Sequence, residues 1–214
     1  ATKSIRVKSL PTVTVNSATI CAGSTATLTA SGATTYSWNP NIGNLATVTT
    51  PPLNSTTNYT VTGTKDGCVN TALATVTVNT KPDVSVNAAS ICAGETATLN
   101  ATGADSYTWN PNIGNTASVT TPALSVTTNY TVIGTLSNGC KDTAVSVVTV
   151  KSLPTVTVNS PTICSGASAT LTASGAVSYT WNPNIGTSAT VSTPPLTATT
   201  NYMVTGIGSN GCPK

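Results

Sequence analysis

The chain has 214 residues, of which 6% are charged, with no histidine, no phenylalanine and a formal charge of +3. The eight basic residues are dispersed without interleaved aromatics, which argues against nucleic-acid binding, and no apolar run is long enough for a membrane-spanning helix. Apolar residues reach 38% and alternate with threonine, serine and asparagine, a composition for an all-β protein rather than a disordered one.

In chain order, residues 1–10 lead into "VKSLPTVTVNS" at 7–17, which is identical to residues 150–160. Residues 1–10 therefore read as the last strand of a preceding or neighbouring domain, and a first residue Ala1 reads as a processed chain or a fragment. Val13 and Val15 then share a face, followed by Ala26, Leu28 and Ala30 after an Ala-Gly turn. Tyr36 and Trp38 share the next inward face, with polar Ser37 between them. Val48, the pair Tyr59 and Val61, and the run Ala74, Val76 and Val78 complete about seven strands of period two.

The pattern returns twice. The strings from Pro11, Pro82 and Pro154 match through more than twenty residues, at spacings of 71 and 72. The extra residue lies in the turn before Cys140 and Cys212, where "TKDGC" at Cys68 lengthens to "TLSNGC" and "IGSNGC". Such a change is what an exposed hairpin tip tolerates. The expected domains are 11–81, 82–153 and 154–214, the third lacking its own last strand.

The strings "AGSTATLTASG", "YSW" and "PPLNSTTNYTVTG" resemble immunoglobulin-like sandwich repeats. The first is similar to the turn into strand B, the second to a strand C with a buried Trp, and the third to the tyrosine corner leading into strand F. Leu53, Thr57 and Tyr59 occupy the corner, as do Leu124, Thr128, Tyr130 and Leu196, Thr200, Tyr202. More narrowly, the chain resembles the Ig-like and PKD-like tandem repeats of large secreted surface proteins of gliding, type IX-secreting bacteria. The resemblance implies three tandem antiparallel sandwiches in an extended rod, located outside the cell. It departs from antibody domains in its cysteines, since Cys21 precedes strand B and Cys68 follows the F–G tip.

Trp38, Trp109 and Trp181 either stack on a sugar ring or fill the space between two sheets. Each repeat has few other large side chains, so the core reading is favoured for them and for Tyr59, Tyr130 and Tyr202. Burying a Trp removes ~150–250 Å² from water, about 4–6 kcal/mol as an upper bound.

The six cysteines allow two pairings. One joins Cys21 to Cys68, Cys92 to Cys140 and Cys164 to Cys212 within repeats. Ig-like topology opposes it, because a strand of about seven residues holds the two half-cystines ~23 Å apart, beyond the ~7 Å a disulfide bridges. The other joins neighbouring repeats as Cys21–Cys140 and Cys92–Cys212, leaving Cys68 and Cys164 for partners outside the chain.

No chemistry converges. The acids Asp66, Asp83, Glu95, Asp105 and Asp142 are scattered and no histidine can act as a base, so neither an enzyme, a cofactor site nor a metal site is expected. "DTA" at 142–144 is similar to a bacterial O-glycosylation acceptor and makes Thr143 a candidate. Asn54, Asn58, Asn100 and Asn129 lie in N-x-S/T strings that matter only in a eukaryotic host.

The expected function is structural: a repeat segment of an extracellular filament, fibre or stalk, continued end to end by further repeats or by copies of itself. Residues 1–10 would then complete the third repeat of a neighbour by strand addition. The alternative is an adhesin or carbohydrate-binding array that takes surface glycans at the tips "SGATT", "TGADS" and "SGAVS".

Overall fold

The structure is a computed structural model and describes residues 2–214; Ala1, the first residue of the expected leading strand, lies outside the described residues. Residues 2–10 form no strand and are exposed. The described residues form two compact units. The first holds residues 2–84 with 103–106 and 133–143, and the second holds 85–102, 107–132 and 144–214.

Period-two alternation gives the first repeat seven strands: β1 (Thr14–Val15), β2 (Ala18–Cys21), β3 (Thr27–Ser31), β4 (Thr35–Asn39), β5 (Thr47–Thr49), β6 (Thr57–Lys65) and β7 (Cys68–Asn79). They make two sheets, ordered β1–β3–β5 and β2–β7–β6–β4. Inward positions of both sheets close one core of Val13, Ala26, Leu28, Ala30, Trp38, Val48, Tyr59, Val61, Ala74 and Val76. Threonines occupy the outward positions, where a branched, half-polar side chain suits a solvated sheet face.

The second repeat repeats the order with β8 (Ser85–Val86), β9 (Ala89–Cys92), β10 (Thr98–Thr102), β11 (Ser106–Asn110), β12 (Ser118–Thr120), β13 (Thr128–Thr135) and β14 (Lys141–Lys151). Its sheets run β8–β10–β12 and β9–β14–β13–β11. The third has β15 (Thr157–Val158), β16 (Thr170–Ser174), β17 (Ser178–Asn182), β18 (Thr190–Ser192) and β19 (Met203–Ile207). One of its sheets is β15–β16–β18; the other holds only β17 and β19.

The sheets are not purely antiparallel, as the sequence led us to expect. β2 runs parallel to β7, and β9 parallel to β14. The cause is a split first strand. Asn16 turns its side chain on β3, accepting from Thr29 N at 2.6 Å and donating to Thr27 O at 3.1 Å, and so stands in for a strand residue. Asn87 and Asn159 do the same on β10 and β16. The chain then crosses to the other sheet still travelling in its original direction, and there it runs alongside the last strand in the same sense.

Each Trp is a core residue with a polar tether. Trp38, Trp109 and Trp181 are 4%, 2% and 2% exposed, and their indole N–H groups donate to Leu45 O, Thr116 O and Ser188 O, each at 3.0 Å. The ring fills the sandwich while its N–H holds the following "NPNIG" loop against the sheet end, where Ile42 packs on the core. Gly32 is required at the β3–β4 turn. Its φ is +89°, and a Cβ there would overlap the Thr12 carbonyl; Gly103 and Gly175 meet Asp83 and Thr155 in the same way.

A second tether was not foreseen. Thr50, Thr121 and Thr193 are buried, and their hydroxyls accept from Ala26 N, Ala97 N and Ala169 N at 2.9 Å. The sequence signal is a Thr-Pro step at the same place in every repeat, where the hydroxyl satisfies an N–H just ahead of β3, β10 or β16.

Trp109→Ala should lower stability by about 3–5 kcal/mol, the range for removing a buried large aromatic, read as a fall in the denaturant midpoint. Burial also pushes the Tyr59 and Tyr130 phenols above their usual value of 10.0. Unfolded phenols ionise near that value while the folded ones stay protonated. Stability is therefore intact below it and is lost as pH rises through the raised values. Denaturant midpoints from pH 8 to pH 12 should drop on the alkaline side, and drop less in the Tyr59→Phe, Tyr130→Phe double variant.

Candidate functional site

Among the described residues, no group of three or more metal-ligating side chains comes together. What the chain does bring together is sulfur.

In the first unit, Cys21 ends β2 and stands opposite Asn79, the last residue of β7. Cys68 is the first residue of that same twelve-residue strand. Eleven rises of about 3.3 Å hold the ends of β7 roughly 36 Å apart, so no bridge can form between Cys21 and Cys68. Cys21 is bonded instead to Cys140, with Cα atoms 5.6 Å apart and a sequence separation of 119.

Cys140 is delivered by a tight turn. Gly139 N donates to Leu136 O at 2.9 Å, and Leu136 N donates to Cys140 O at 3.0 Å. The Asn138 side chain accepts from Cys140 N at 2.9 Å and donates to Thr80 O at 3.1 Å, so one residue shapes the turn and pins it to the segment leaving β7. Asp105 braces the other side, its carboxylate accepting from Ser137 N at 2.7 Å. Cys140 is 1% exposed, whereas Cys21 is only partly buried.

The second unit holds the same construction. Cys92 ends β9 opposite Lys151 and is bonded to Cys212 with Cα atoms 5.6 Å apart. Asn210 accepts from Cys212 N at 3.1 Å and donates to Ser152 O at 2.8 Å. Lys151 Nζ adds a bond to Asn210 O at 3.2 Å. Cys212 is fully buried. Neither asparagine was singled out from sequence, although "SNGC" at 137–140 and 209–212 carried the signal: an Asn two residues before Cys, ahead of a Gly with positive φ.

Cys68 and Cys164 are free; the first is partly buried and the second exposed. Lys8 Nζ donates to Asp66 O at 2.7 Å, next to Cys68. Beside Cys164, residues 161–164 form no strand, and a groove of about 640 Å³ opens between this segment and residues 196–202. Tyr202 lines it and is only half-buried, whereas Tyr59 and Tyr130 are 2% and 1% exposed. The difference has one cause: β7 covers Tyr59, with Ala74 directly opposite, and β19 has no such neighbour at Tyr202 among the described residues. Thr143 lies exposed on β14.

Cys140→Ser should remove about 4–5 kcal/mol, the chain-entropy value for a closed loop of this length, and lower the midpoint of the unfolding transition that involves the first unit. Asn138→Ala should weaken the same transition by about 1–3 kcal/mol through the acceptor and donor it strands. Thermal melts of both variants, oxidised and reduced, check the two values.

Residues 9–82 match the family described as Ig-like domain, CHU_C associated. No curated protein matches the chain. Among solved structures, a three-domain I-band fragment of titin aligns at 13% identity over 95% of this chain and 94% of its own, with a TM-score of 0.43. The five immunoglobulin domains of Sidekick-1 align at 16% identity over 94% of this chain and 56% of theirs, with a TM-score of 0.32. A DIP-gamma structure holding two immunoglobulin domains aligns at 13% identity over 66% of this chain and 98% of its own, with a TM-score of 0.32. With two sheets closing on a central Trp in a pattern that recurs along the sequence, the chain is a tandem array of Ig-like repeats, and its residues 9–82 are similar to the CHU_C-associated Ig-like domains.

Proposed function

We propose that the chain is a structural repeat segment of an extracellular filament, fibre or bacterial cell-surface stalk, with domains at 11–81, 82–153 and 154–214. The support is the pair of disulfides, each tying the end of a short parallel strand in one repeat to the hairpin tip of the next. Stitching of this kind opposes separation of successive repeats under load, and it persists only in an oxidising compartment. The partners are further repeats or copies of the same chain, and exposed Thr143 is the candidate for O-glycosylation.

The adhesin reading looks to the β3–β4, β10–β11 and β16–β17 tips. Asp105, the one acidic group among them, is already engaged by Ser137 N, which leaves the tips little charge for a ligand. The test is immunoelectron microscopy of the native source with antibody to this chain. Labelled filaments or stalks, insensitive to competing glycans, are expected. Labelled monomers that bind a glycan array would shift the function to adhesion.

A further inference from the structure

We propose that Asn138 and Asn210 are modification sites, each losing its side-chain amide by ring closure on the following glycine, and that the neighbouring disulfide decides when. The amide is kept while the bridge is closed and is lost once the bridge is opened. Each joint thereby holds a covalent record of having been reduced. The inference concerns the two joints inside the chain and stands apart from the function proposed above.

Ring closure needs a main-chain nitrogen that reaches the asparagine side chain, and a glycine puts nothing in its way. Of the asparagines in the chain, only Asn138 and Asn210 are followed by Gly. A Cβ at Gly139 or Gly211 would meet nothing within 4 Å, and both asparagines and both glycines are exposed to water. In the reaction, Gly139 N bonds to Asn138 Cγ and the Cγ–Nδ2 bond breaks. Ammonia leaves, taking the proton from the glycine amide. Water then opens the imide at either carbonyl and leaves aspartate or isoaspartate. Water is the one co-reactant, and no electrons change hands.

The closed joint ties down both reacting groups. Gly139 N, the nucleophile, donates to Leu136 O at 2.9 Å, and Gly211 N donates to Gly208 O at 2.9 Å. The Asn138 amide is gripped at both atoms, by Cys140 N at 2.9 Å and by Thr80 O at 3.1 Å. Asn210 is gripped by Cys212 N at 3.1 Å and by Ser152 O at 2.8 Å. A side chain fixed at both atoms cannot swing its Cγ onto a nitrogen whose proton is already committed.

The disulfide staples these two grips together. Cys140 is itself a half-cystine, and Thr80 follows Asn79, the residue paired with Cys21. Cys212 is itself a half-cystine, and Ser152 follows Lys151, the residue paired with Cys92. Reduction by a dithiol, which supplies two electrons and two protons, lets the grips part. Amide loss then makes the opening permanent. An aspartate at 138 cannot donate to Thr80 O and sets acceptor against acceptor. An isoaspartate lengthens the main chain two residues before the sulfur.

The full chain, with both bridges formed, is incubated at mildly alkaline pH beside the same chain reduced and unfolded in guanidinium. Peptide mapping by mass spectrometry reads the change from amide to acid at each site. Loss at both asparagines should be at least about tenfold slower in the bridged chain, since such a reaction follows the free energy of local opening. Equal rates in the two states would overturn the protection. In the Cys140→Ser chain Asn138 should lose its amide faster while Asn210 keeps the wild-type rate, and in the Cys212→Ser chain the order should reverse. Acceleration of both sites alike, or of neither, would overturn the pairing of each asparagine with its own bridge. Wild-type chain under dithiol without denaturant makes the comparison with no substitution, and both sites should accelerate there. After long reduction, reoxidation should restore Cys21–Cys140 only in molecules that still carry the Asn138 amide. Full restoration in the converted molecules would overturn the permanence of the record.

Discussion

Strand β7 sets the terms for the rest of the molecule. Twelve residues of continuous pairing put Cys68 at one end and Asn79 at the other, and the parallel partner of Asn79 is Cys21. No side-chain rotation can close a gap of roughly 36 Å. A sandwich built this way cannot spend its cysteines on itself, so any disulfide it makes must leave the repeat. That the two bridges present run between repeats follows from the length of one strand.

The core follows from a different scarcity. Without phenylalanine, and with alanine, valine and threonine filling the strands, each sandwich depends on one Trp and two Tyr for its bulk. A Trp in that place contributes burial and an N–H that must be satisfied. Its partner is a carbonyl of the loop seven residues on, so filling the core and fixing the sheet end are the same event. Buried Thr50, Thr121 and Thr193 work by the same logic at the start of the opposite sheet, trading a hydroxyl for an N–H left unpaired where pairing begins.

Local pattern made much of this legible. Alternation located the strands, the triplicated Tyr-x-Trp located the core, and repeat spacing located the hairpin tip that tolerates an extra residue. The parallel pairing of β2 with β7 was not legible, because it depends on where the chain leaves one sheet for the other, and that is decided by a side chain, Asn16, acting as backbone. Asn138 and Asn210 were hidden for a related reason: their partners are main-chain carbonyls of the segments after β7 and β14, invisible to any reading of residue types. Tyr202 shows the converse limit. Its sequence context equals that of Tyr59, yet among the described residues a last strand lies over Tyr59 and Tyr130 and not over Tyr202, which is accordingly less buried.

Comparison of the turns before Cys68, Cys140 and Cys212 separates what a joint needs from what merely accompanies it. The longer turns use an Asn whose amide reaches the departing chain; the shorter one has Asp66, at φ +52°, which cannot donate. Lysine takes over where the amide is lost, since Lys8 reaches Asp66 O from the segment that the asparagines would otherwise grip. Lys151 makes the same reach even though Asn210 is present, and Asn79 occupies that place beside Cys21. The constant element is therefore not a particular side chain. It is a donor that bonds a main-chain carbonyl across the gap between the half-cystine turn and the chain segment beside it.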